Sequence, residues 1–153
     1  MKRIFGALFA IAFSLACSAQ WVQQQAAQQP EVPAYHSGPP AKDEKLPPIL
    51  TPDQLAPENR KLAYQPRAYA LAAKVPRVLY QQPCYCFCSK SVGHTSLHSC
   101  FESEHGSHCG VCMSEVYYSY KMTKAGWTPA QIRQGIMRGD WKQIDLQKAA
   151  SME

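Results

Sequence analysis

The sequence lacks a charged face. Only 18% of its 153 residues are charged, and the formal net charge of +5 includes Lys2 and Arg3 at the very start. Beyond those two, 14 basic residues stand against 11 acidic ones. Within 84–153 the balance is seven (Lys90, Lys121, Lys124, Arg133, Arg138, Lys142, Lys148) to six. Nucleic-acid binding requires lysines and arginines clustered on one surface, so no nucleic-acid partner is expected. Long apolar runs are scarce as well. Ile4–Ala16 has thirteen residues, whereas a permanent membrane-spanning helix needs about 20. The length allows one domain at most, and eleven of the twelve prolines fall in 20–83. That leaves about seventy residues, 84–153, for the cysteine cluster and a helical pattern. So small a region seldom stabilises itself by an apolar core alone and needs disulfides or a metal. A large enzyme fold, a nucleotide-binding α/β domain and a multi-span membrane protein are therefore excluded.

Met1-Lys2-Arg3 followed by the apolar stretch predicts an exported signal peptide over 1–19. Ser14-Leu15-Ala16-Cys17 is similar to a bacterial lipobox, in which the cysteine is lipidated and becomes the new N-terminus. Lipid attachment at Cys17 would anchor the chain to a membrane in the cell envelope. Cleavage after Ala19, leaving a periplasmic or secreted protein, is the alternative. Gln20–Gln29 contains six glutamines, and Pro30, Pro33, Pro39-Pro40 and Pro47-Pro48 follow. This composition predicts a flexible tether over 20–59, with His36 solvated in it. Thr51-Pro52 can open a short helical turn.

A mostly α-helical, cysteine-rich unit is expected over 60–148, with 149–153 as a tail. A helix near Tyr69–Lys74 is interrupted by Val75-Pro76, and another is expected from about His94 to Phe101. A longer one runs from Cys109 to Lys124 and closes on Gly126. Thr128-Pro129 opens the last, through Arg138, with an apolar stripe of Ile132, Ile136 and Met137. Trp127 and Trp141 are expected to cover the core.

The informative feature is the donor density: six cysteines and four histidines lie within 84–112. If Cys84-Tyr85-Cys86-Phe87-Cys88 is extended, its three sulfurs share one face. Cys109-Gly110-Val111-Cys112 is a C-x-x-C at a helix start, where the helix end favours thiolate. Cys100 lies between them, and His94 and His98 are spaced to share a helix face. His105 and His108 read equally well as loop residues or ligands. Glu102 and Glu104 read as a solvated loop. No Ser/His/Asp arrangement can be argued from the spacing.

Three chemistries remain open. A soft transition metal, Cu(I) or Zn(II), suits thiolate and imidazole donors. A thiol–disulfide oxidoreductase would use the C-x-x-C as an exchange pair. Three structural disulfides would make a stapled interaction module, although the alternating C-x-C-x-C run is awkward to bridge. The metal reading leads, with Cys84, Cys86, Cys88, Cys100, Cys109, Cys112 and His94 as ligands. Its role would be buffering or delivery, with a metal-donor protein as partner, or a redox partner under the second reading.

Pro83-Cys84-Tyr85-Cys86-Phe87-Cys88, with Gly93-His94, Leu97, Cys100 and the Cys109/Cys112 pair, resembles the bacterial PCYCGCG-motif (CYCXC) family. These are small exported proteins, many with lipoprotein leaders, and the family has no settled biochemical function. The resemblance covers about 76–140. Phe87 and Ser89 stand where the motif has glycine. Selenocysteine in some members implies redox chemistry, while the family as a whole implies export and a functional cysteine cluster.

Overall fold

Local sequence signals set the helix ends, and sparse apolar anchors set the packing. The computed structural model describes residues 31–151. The expected signal peptide, Cys17 and the glutamine run lie outside these residues. Among the described residues there are helices and turns and no strand, as the mostly α expectation required. No helix among the described residues is long and apolar enough to cross a membrane.

The described residues hold six α-helical segments in chain order: α1 (Tyr64–Ala72), α2 (Pro76–Leu79), α3 (Cys88–Ser91), α4 (Gly110–Lys124), α5 (Pro129–Arg138) and α6 (Leu146–Ala149). Short 3₁₀ turns at Pro52–Gln54, Pro57–Arg60, Leu97–Phe101, Glu104–His108 and Asp140–Gln143 link them. Thr51-Pro52 opens the first of these turns, where the Thr51 amide donates to Gln54 Oε1 at 2.7 Å. Pro76 starts α2 and separates it from α1 as expected. The α1 helix, however, begins five residues earlier than the sequence suggested, at Tyr64.

The α4 helix is the axis of the fold. Every residue from Cys112 to Tyr120 is buried, so α4 is covered on all sides at its centre. Two of its tyrosines find partners. Tyr117 donates to the Tyr64 carbonyl at 3.1 Å, and Tyr118 to Asp140 Oδ2 at 3.3 Å. Gly126 ends α4 at φ +83°, with Gly126 N donating to Thr123 O and Trp127 N to Met122 O. This is the Schellman arrangement, which L-residues other than glycine enter at a cost. Thr128 and Gln131 then form a capping box, Pro129 takes the first helical position, and α5 begins. It lies against α4 through Ile132 and Ile136, both fully buried. Gly135 permits that approach, since a Cβ there would stand 1.9 Å from the Tyr118 hydroxyl oxygen. Trp141 packs on this second cluster, whereas Trp127 is 38% exposed and covers little.

The tether expectation fails from Val32 onward. Leu55 is 2% exposed within the main core, and Ile49 and Leu50 pack against it. Leu50 N donates to the Phe101 carbonyl at 3.0 Å, and Pro33 and Pro40 are buried. Arg77 donates to the carbonyls of Pro40 and Ala41. His36 is not simply solvated, because its ring stacks on Tyr80 at 3.8 Å. A polyproline-like segment makes no internal hydrogen bonds, so a few anchors suffice to lay it on a helical surface. At the other end Ala149, expected in a tail, is 7% exposed and closes the core.

Candidate metal centre

The motif segment is a turn, not an extended strand. Phe87 N donates to the Cys84 carbonyl at 3.0 Å, and Phe87 adopts φ +57°, ψ +27°. This left-handed residue reverses the chain and starts α3 at Cys88. The reversal brings all three motif sulfurs inward by a route that strict alternation did not foresee. The turn is held by Glu115 on α4, whose Oε1 accepts from the Tyr85 amide at 2.8 Å. Glu115 is fully buried, and burial pushes its carboxyl up to about 8, against the downward pull of the Tyr85 amide and the Cys84 thiol.

Three further segments meet this turn. The α4 helix delivers Cys112 on its first turn, and the Leu97–Phe101 turn delivers Cys100; both are fully buried. His94 precedes that 3₁₀ turn, after Gly93 at φ +75°, and its Nδ1 lies 3.4 Å from Cys100 Sγ. His105 enters from the Glu104–His108 turn, its ring 4.8 Å from that of His94. Its Nε2 is buried with no hydrogen-bond partner. Tyr69 on α1 pins this turn, donating to Ser103 O at 2.7 Å and accepting from Ser107 N at 3.2 Å. Glu104 also braces it by accepting from the Ala56 amide and from Asn59 Nδ2 at 2.7 Å. Glu104 is therefore a structural bracket and not a solvated loop residue.

The six described cysteines are all free thiols. Sulfur–sulfur distances are 3.4 Å for Cys84–Cys86, 3.3 Å for Cys84–Cys112, 3.5 Å for Cys86–Cys112 and 3.3 Å for Cys88–Cys100. Thiolates at about 2.3 Å from a tetrahedral zinc stand about 3.8 Å apart, so a few tenths of an ångström of expansion would admit an ion. Three donor sets have ligand atoms within 4.8 Å of one another: Cys84, Cys86, Cys88, Cys100; Cys86, Cys100, His105, Cys112; and Cys88, His94, Cys100, His105. Cys100 belongs to all three.

The thiols of the cluster act on one another's protonation. Hydrogen bonding, first with Cys100, pulls the Cys86 and Cys88 thiols well below the usual range. The same network, again led by Cys100, pushes Cys84 and Cys112 well above it. So many adjacent thiolates would repel one another if left unneutralised. A bound cation would remove that conflict.

Of the residues expected at the site, Cys84, Cys86, Cys88, Cys100, Cys112 and His94 all fall in these sets. Cys109 falls in none of them. It caps α4 with extended backbone, half exposed, and its side chain interacts with Cys112 and Cys86 at the edge of the cluster. His98 does not share a helix face with His94. It turns away and pairs through Nδ1 with Glu102 Oε1 at 2.8 Å. His108 is exposed and belongs to no donor set. His105, which the sequence left between loop residue and ligand, falls in two sets.

Pro33 and Ala34 lie over Cys84, Cys88 and His94 and cover the centre. A groove of about 320 Å³, lined by Glu44, Leu46, Pro47, Tyr80, Gly93 and His94 among others, gives access from the His94 side.

A family model described as "Protein of unknown function with PCYCGC motif" matches residues 44–143. No curated protein and no solved structure matches the chain.

Proposed function

This chain belongs to the family of proteins with the PCYCGC motif, and on that premise we propose that it binds a soft transition metal, Cu(I) or Zn(II), for buffering or delivery. The observation that carries this reading is the convergence of five thiols and two imidazoles from four separate segments into overlapping donor sets. Such a donor chemistry selects copper(I) or zinc over hard cations. Cys86, half exposed, and His94, at the groove, supply a path for exchange with a donor or acceptor protein. The basic start, the apolar stretch and Cys17 support a site of action outside the cytoplasm, with a lipid anchor on Cys17. The thiol-exchange reading has less support, because the Cys112 sulfur lies within 3.5 Å of Cys84 and Cys86, outside its C-x-x-C pair.

The test is metal content in cysteine variants of the full chain purified anaerobically. Cys86→Ser and Cys100→Ser should each lose bound metal and lower thermal stability, since closure by metal is also a folding interaction. His108→Ala should change neither. If both serine variants keep wild-type metal content and stability, the proposal is wrong.

A further inference from the structure

The geometry points to a two-ion centre: an all-sulfur Cu(I) site beside a second Cu(I) site made of two thiolates and two imidazoles. This rests on the metal reading above and goes further in fixing the number of ions and the division of ligands. The first half is the triangle of Cys84, Cys86 and Cys112, whose three sulfur pairs stand 3.4, 3.3 and 3.5 Å apart. The second half is Cys88, Cys100, His94 and His105, whose four ligand atoms lie within 4.8 Å of one another. Cys88 and Cys100 are 3.3 Å apart, and His94 Nδ1 is 3.4 Å from Cys100. The two halves share no residue.

One tetrahedral ion accepts four ligands, which would leave three of these seven donors without an ion. His105 Nε2 is already a buried nitrogen without a partner. Two ions use all seven. The halves also touch, since Cys84, Cys86, Cys88 and Cys100 form a donor set of their own. A thiolate at that seam can bridge both ions, which suits Cu(I) because it is satisfied by few, soft ligands. Binding is a ligand exchange without electron transfer. Each thiol that ligates gives up its proton, a copper–sulfur bond replaces the sulfur–hydrogen bond, and copper remains Cu(I).

The experiment is anaerobic titration of the reduced full chain with Cu(I) presented as its bis-bicinchoninate complex, read by native mass spectrometry. The expected endpoint is two Cu(I) per chain. Cys112→Ser, which opens the triangle, should halve that to one. The paired variant His94→Ala/His105→Ala should also fall to one, with Cys112 untouched. Circular dichroism of each variant verifies the fold, and the wild-type endpoint stands whether or not a variant folds. Saturation of the wild type at one Cu(I) overturns the two-ion centre and leaves the metal reading intact. No copper uptake at all overturns the two-ion centre and takes Cu(I) out of the metal reading, leaving zinc.

Discussion

Replacing Phe87 by alanine and, separately, by glycine splits backbone strain from side-chain packing in the motif turn. Phe87 is the one non-glycine residue with positive φ among the described residues, at +57°. An L-residue in that region loses about 1–2 kcal/mol relative to right-handed backbone. Glycine avoids the clash, although its freer unfolded chain returns about 0.4–1 kcal/mol of the gain. The glycine variant should therefore be about 1 kcal/mol more stable than the alanine variant. The phenyl ring makes an edge contact with Tyr85, centroids 5.9 Å apart, and Lys90 Nζ lies 5.4 Å from its centroid. Both variants lose those contacts, worth about 1 kcal/mol together for a half-exposed ring. Alanine should thus destabilise the protein by about 1 kcal/mol, and glycine should return it near wild type. For a unit of this size that difference is about 4 °C in Tm. Thermal unfolding by circular dichroism under matched metal loading reads it directly. A glycine variant no more stable than the alanine variant would refute the left-handed turn. The family description prints glycine at this place, PCYCGC, and the turn supplies the physical reason for it.

Other perturbations follow from the packing. Leu55→Ala should cost about 2–5 kcal/mol and make the segment between Val32 and Arg60 the first site of limited proteolysis; unchanged protease resistance would contradict its role as an anchor. Gly135→Ala should destabilise by about 1–3 kcal/mol despite alanine's better helix propensity, because its Cβ meets the Tyr118 hydroxyl. Tyr118→Phe should recover part of that loss in a double-mutant cycle. Burial pushes the Tyr117 phenol up to about 12 from its ordinary 10, so the native state keeps a proton that the unfolded chain releases. Stability from this group is complete below pH 10 and declines as pH rises towards 12. Denaturant unfolding of Tyr117→Phe should show a shallower alkaline decline. Globomycin should cause an unprocessed precursor to accumulate if Cys17 is lipidated, and processing unaffected by the drug would remove that expectation.

The sequence announced the elements that depend on neighbouring residues. Gly126, Thr128-Pro129 and the Cys109 helix start are local signals, and the structure places helix ends at all of them. The identity of most site residues was legible because donor density needs no knowledge of geometry. What the sequence hid depended on tertiary contact. The motif reads as alternating only until the left-handed Phe87 folds it, and no propensity favours phenylalanine there. His94 and His98 look like a helical pair, but Gly93 breaks the chain beside His94, and Glu102 draws His98 elsewhere. His105 had no sequence signal beyond its proximity to the C-x-x-C. Tyr69, and Asn59 through Glu104, turn its loop inward from far away in the chain. The segment from Val32 to Asn59 looked like a tether because its anchors, Ile49, Leu50 and Leu55, are few and surrounded by proline.

The central claim is that the cysteines from Cys84 to Cys112 are reduced and hold metal. Anaerobic purification of the full chain, with elemental analysis and thiol titration of the same sample after unfolding, tests it most directly. The account predicts stoichiometric copper or zinc together with reactive thiols at all six of these positions. A metal-free protein in which the six cysteines titrate as disulfides would contradict it.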